Sequence, residues 1–155
     1  MEPRHTRSLI RVAVACLVVS FGATLLAQSN VGTWTLNVAK SKYSPGPAPK
    51  ASTLKIDATG VTVDATGADG STQHWTYGGT YDGKPVPVTG NPNADMASRK
   101  RISPTTTETT LTKGGKLTQV NTSVVAADGK TMTITTKGTN AQGQALVNVA
   151  VWEKK

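Results

Sequence analysis

Glycine-centred turn signals cut most of this chain into short pieces. They stand at Thr59-Gly60, Asp69-Gly70, Asp82-Gly83, Gly114-Gly115, Asp128-Gly129 and Gln142-Gly143, with looser breaks at Asn91-Pro92-Asn93 and Ser103-Pro104. Dipeptides of this kind supply the positive φ that tight hairpin turns need. The pieces between them are rich in Thr and Val and lack the three-to-four-residue recurrence of an amphipathic helix, so they read as strands. Links this short leave no room for a crossover. Each strand must therefore lie antiparallel beside its neighbours in sequence. The fold class that follows is all-β.

The first strand spans about 31 to 38. It carries Trp34 and Leu36 on one face and Thr33, Thr35 and Asn37 on the other, so one face is expected to be buried and the other wet. Further strands are expected near 52 to 58, 61 to 67, 71 to 79, 84 to 89, 95 to 102, 105 to 112, 116 to 126, 130 to 138 and 144 to 153. That makes a meander of about ten strands. Left open, it would expose two long edges, and pairing the last strand with the first removes both, so a single up-and-down antiparallel barrel is expected. Residues 39 to 51 hold Pro45, Pro47 and Pro49. Prolines lack the amide donor a ladder needs, so this stretch reads as an exposed loop, a lap or lid.

Residues 1 to 27 differ in kind. Arg4, Arg7 and Arg11 form a basic beginning, Val12 to Ala27 an apolar run of 16 residues, and Leu25-Leu26-Ala27 a cleavage-like end, which together read as a signal peptide. A membrane span needs about 20 apolar residues, so a retained anchor is the alternative, and no stable membrane insertion is expected after cleavage. The single cysteine, Cys16, lies inside this run, leaving the domain at 28 to 155 with no disulfide, thiol nucleophile or thiolate ligand. The implied setting is periplasmic or extracellular, in a bacterium. Removing the leader's three arginines and one glutamate from totals of 17 basic and 9 acidic residues leaves 14 against 8, a net +6. The positives are scattered apart from Arg99-Lys100-Arg101, without the interleaved aromatics or recognition helix of a nucleic-acid binder, so no nucleic-acid partner is expected.

Two sets of residues carry a resemblance. The opening Gly32-Thr33-Trp34, the ten-strand meander and the closing Val149-Ala150-Val151-Trp152 resemble the calycin superfamily, the lipocalins and fatty-acid-binding proteins. The fuller run from Gly32 to Tyr43, together with Val88-Thr89-Gly90-Asn91-Pro92-Asn93-Ala94-Asp95, resembles small exported bacterial proteins described as lipocalin-like. The resemblance implies that Trp34 plugs the closed end of the barrel. The chain departs from the fatty-acid-binding pattern in two places. A proline-rich loop stands where that pattern has two helices, and Asn148-Val149-Ala150-Val151-Trp152 stands where it has Arg-x-Tyr on the last strand.

No catalytic constellation is visible. His74, the only histidine of the domain, falls on the strand face opposite Trp75 and Tyr77 and is expected at the surface. Asp57, Asp64, Asp69, Asp82 and Asp128 sit in or beside turns, where Asp caps local backbone. The echo Asp57-Ala58-Thr59-Gly60 and Asp64-Ala65-Thr66-Gly67 lacks the further acids of a calcium loop. No metal, cofactor or enzymatic activity is expected, and the abundant threonines read as β-formers on outer faces. Binding is the better supported class. Trp75, Tyr77 and Tyr81 cluster around one hairpin, as core or as ligand wall. Arg99 and Arg101 share a face of their strand, and a basic residue pointing into a barrel would clamp an anion. The leading expectation is a monomeric exported carrier of a small, largely apolar ligand, with Trp75, Tyr77, Tyr81, Arg99 and Arg101 as candidate ligand contacts. The alternative is a structural or surface-interaction module of the envelope with a filled barrel, and an enzyme of unrecognised type ranks below both.

Overall fold

The structure of the protein is a computed structural model that describes residues 30–140 and 142–155. The signal peptide read over 1 to 27, with Cys16, lies outside the described residues. Ten strands follow in order: β1 (Gly32–Ser44), β2 (Ala51–Ile56), β3 (Gly60–Thr66), β4 (Thr72–Gly78), β5 (Val86–Thr89), β6 (Met96–Arg101), β7 (Thr106–Lys113), β8 (Lys116–Val125), β9 (Thr131–Thr139) and β10 (Ala145–Lys154). Each pairs antiparallel with its sequence neighbour. β10 returns to β1, with Leu36 opposite Trp152, and closes the barrel.

The first strand runs further than its alternation suggests, to Ser44 rather than about 38, which shortens the irregular proline stretch to 45–50. The cause is a register shift against β10 between Asn37 and Lys42. Side chains there satisfy backbone groups that the ladder drops. Asn37 Oδ1 accepts from the Lys40 amide at 3.0 Å, Ser41 Oγ donates to the Asn37 carbonyl at 2.6 Å, and the same Oγ accepts from the Val151 amide at 2.9 Å. An extra stretch of chain inverts the alternation, as a bulge does. Trp34 and Leu36 are therefore buried before it, and Tyr43 packs on the core after it.

The two ends of the barrel differ. Where β1 begins and β10 ends, Trp34, Leu36, Ile56, Val125, Met132 and Trp152 pack into one apolar cluster, with Trp34 and Met132 fully buried. Lys154 Nζ lies 5.2 Å from the Trp34 ring centre and covers this end from outside. A smaller cluster of Ala94, Ala97 and Leu111 sits beneath β5. At the opposite end residues of the loops 45–50, 67–71 and 90–95, with Asn140 and Gln142, surround an opening.

Candidate functional site

The inward faces of the strands enclose a cavity of about 790 Å³. Exposed loop residues line its outer part, among them Pro47, Ala68, Asp69 and Gln142, so the cavity opens at that end. Its walls are chemically unequal. On β2 and β3 the inward residues Leu54, Ile56, Val61 and Val63 are aliphatic. On β7 and β8 they include Thr107, Thr109, Gln119, Asn121 and Ser123. Thr107 and Thr109 are buried, so these threonines face inward and not outward as their polarity suggests. Threonines stand on both faces of β7, so polarity does not mark which one is inside, and here the inner face carries Thr107 and Thr109 beside Leu111.

The floor of the cavity is a chain of hydrogen bonds. Trp34 Nε1 donates to the Asn30 carbonyl at 2.8 Å, Tyr81 OH donates to Asn30 Oδ1 at 2.8 Å, and Asn30 Nδ2 donates to Thr107 Oγ1 at 3.3 Å. Arg99 completes it: Nη2 donates to Tyr81 OH at 2.6 Å and Nη1 to the Gly79 carbonyl at 2.7 Å. Its guanidinium also lies over the Tyr81 ring, 4.1 Å from the centroid. Asn30, which carried no signal in the sequence, ties three of these groups together.

Arg99 is 2 % exposed and lines the cavity at its inner end. The ion pairs among the described residues are Lys40–Glu153, Asp64–His74 and Lys84–Asp82, and none involves Arg99. Burying a cation costs several kcal/mol unless counter-charge or hydrogen bonds compensate it. The hydrogen bonds to Tyr81 and Gly79 and the stacked phenol offset part of this, and a guanidinium has five N–H donors in all. Nearby, burial pushes the Tyr77 phenol above its ordinary value of 10.0, with the Arg99 charge and a hydrogen bond to Thr109 pulling the other way. Burial also raises Tyr43.

Of the residues singled out from the sequence, Trp75, Tyr77, Tyr81 and Arg99 all line the cavity. Arg101 shares the strand face of Arg99 but stands at the end of β6, exposed and outside the lining, with its guanidinium carbon 4.5 Å from the Tyr81 centroid. His74 is at the surface, its Nδ1 2.6 Å from Asp64 Oδ1. Among the described residues no three of His, Cys, Asp and Glu gather as a metal site would require. The polar wall of β7 and β8 was missed in the sequence. The alternation Thr107-Glu108-Thr109-Thr110-Leu111, which places two threonines on the face of Leu111, is the signal that could have found it.

The architecture is a closed, ten-stranded, antiparallel up-and-down barrel with an internal cavity, compatible with a calycin-like fold. Comparison with known proteins finds no matching family model, no similar curated protein and no similar solved structure.

Proposed function

We propose that the protein is an exported, lipocalin-like binding protein that holds one small amphipathic anion inside its barrel. The observation that carries this reading is the cavity of about 790 Å³ with the buried Arg99, which makes no ion pair among the described residues, at its inner end. Binding cavities of this size, roughly 300 to 1,000 Å³, hold small organic molecules and pair an apolar lining with a few placed polar groups. The aliphatic faces of β2 and β3, with Trp75, offer contact to an apolar surface. Arg99 offers the remaining N–H donors of its guanidinium to an anionic group, in a setting where charge-assisted bonds are short and strong. The one-sided polarity of the lining makes the ligand amphipathic rather than largely apolar. The open interior also weighs against a filled barrel acting only as a structural module.

The test uses 8-anilinonaphthalene-1-sulfonate, an aromatic anion of suitable character, followed by its fluorescence in the purified protein. Saturable binding at one site is expected. Arg99→Met should weaken it by about tenfold or more, because a hydrogen bond to a charged group contributes roughly 1.5 to 3 kcal/mol. Absence of saturable binding, or equal binding by an Arg99→Met protein whose near-ultraviolet circular dichroism is unchanged, would overturn the reading.

A further inference from the structure

The polar side of the cavity is continuous. Read through the cross-strand partners, Arg99 on β6 faces Thr109 on β7, Thr109 faces Asn121 on β8, and Asn121 faces Thr136 on β9. Thr136 in turn faces Asn148 on β10, and Asn148 faces Tyr43 on β1. All six line the cavity. Because directly opposed residues stand roughly 5 Å apart, they form one stripe of hydrogen-bonding groups across six strands. The stripe leads from the buried cation to the aromatic that packs beyond the β1 bulge.

The chemistry of the stripe is narrow. Between Arg99 and Tyr43 it holds two hydroxyls and two carboxamides and no further charge, and each of the four groups both donates and accepts. Asn121, at its centre, makes no side-chain hydrogen bond among the described residues, and its Oδ1 is buried without a partner. Asn148 spends its oxygen on the Ser44 amide at 3.1 Å, which leaves its amide nitrogen to donate. Gln119 and Gln73 add two more carboxamides to the lining, also without side-chain bonds among the described residues. An acyl chain lying here would leave these groups unmatched. A peptide cannot add to this sheet as a further strand, because the closed barrel has no edge.

We infer that the ligand is an acidic saccharide, its hydroxyls on the Thr109–Asn121–Thr136–Asn148 stripe, its carboxylate at Arg99 and a sugar face against Trp75. A sugar ring presents hydroxyls around its edge and an apolar C–H face, which matches a polar stripe opposite an aromatic and aliphatic wall. This rests on the cavity reading above and names its ligand class.

The experiment is isothermal titration of the purified protein with maltotriose oxidised to a uronic acid at its terminal glucose only, which carries a single carboxylate, and, in parallel, with neutral maltotriose and with 8-anilinonaphthalene-1-sulfonate. The acidic trisaccharide is expected to bind more tightly than the neutral one. Asn121→Leu and Trp75→Ala should each weaken it by about tenfold. Asn121→Leu should leave the near-ultraviolet circular dichroism unchanged, which a general loss of packing would not. Gln119→Ala, two residues along the same strand face, serves as a second variant should Asn121→Leu fail to fold, and it too should weaken the saccharide. If the sulfonate binds and neither saccharide does, the saccharide assignment is overturned and the cavity reading stands. If nothing binds, both fall. If the neutral sugar binds as tightly as the acidic one, the carboxylate at Arg99 is overturned.

Discussion

Trp34 and Arg99 show how differently two fully enclosed side chains can be used. Trp34 is 0 % exposed, its ring packed among Leu36, Leu54 and Met132 and its Nε1 satisfied by the Asn30 carbonyl. It contributes stability through buried area and fixes the chain just ahead of β1 through that one bond. Trp34→Ala should therefore destabilise the protein by about 3 to 5 kcal/mol, as deletion of a large aromatic from a packed core does. Urea unfolding measures this, and a loss below about 1 kcal/mol would show that the ring is not the plug of the barrel. Arg99 is nearly as enclosed as Trp34, but it ends in a guanidinium and lines a cavity rather than a packed apolar cluster. Only at such a position does enclosure point to binding instead of packing.

At the scale of the element, the strands are unequal members of one sheet. β9 and β10 pair over nine positions and β8 and β9 over seven. β5 pairs over two positions with β4 and two with β6, and Pro87 at its centre has no amide to donate. Local opening free energy follows the number of protected hydrogen bonds and buried contacts. Amides of Val86–Thr89 should consequently exchange with deuterium well before those of β8 to β10. Hydrogen exchange read by mass spectrometry checks this, and equal protection would show that the seam is as firm as the rest of the wall. The opposite case is Gly138 on β9. A Cβ there would stand 2.0 Å from the Thr118 carbonyl oxygen and 2.7 Å from the Gln119 Cα, so close packing of β8 on β9 requires the glycine.

For the molecule as a whole, hairpin turns around the barrel are tied by carboxylates. Asp57 is held below its ordinary value of 3.8 chiefly by the Thr59 amide, Asp69 by the Ser71 hydroxyl, Asp82 by the Lys84 amide and Asp128 by the Lys130 amide. On the β1–β10 seam Glu153 is held below 4.5 by the Asn37 side chain and then by Lys40. Each of these groups has a lower pKa folded than unfolded. Its contribution is thus present above the unfolded value and lost as pH falls through the folded one. The urea midpoint should be clearly lower at about pH 2.5 than at pH 6. An unchanged midpoint would show that the caps add nothing to folding. All five carboxylates are solvent-exposed, so the effect is expected to be modest for each and visible as a sum.

What the sequence determined by itself was the count and order of strands, their antiparallel pairing and the closure of the sheet. These depend on turn chemistry and two-residue alternation, which are local, and on the cost of an exposed edge. It also marked Trp75, Tyr77, Tyr81 and Arg99 as worth following. Tertiary structure alone decided the rest. The bulge after Asn37 rests on Ser41 meeting the Val151 amide from the far end of the chain, 110 residues away. Arg99 and Arg101 were equivalent on paper, and the position of the barrel rim separated them. The stripe from Arg99 to Tyr43 is assembled from six strands, so it exists only in their mutual register. Register is set by the closure of the whole sheet, which no single segment encodes.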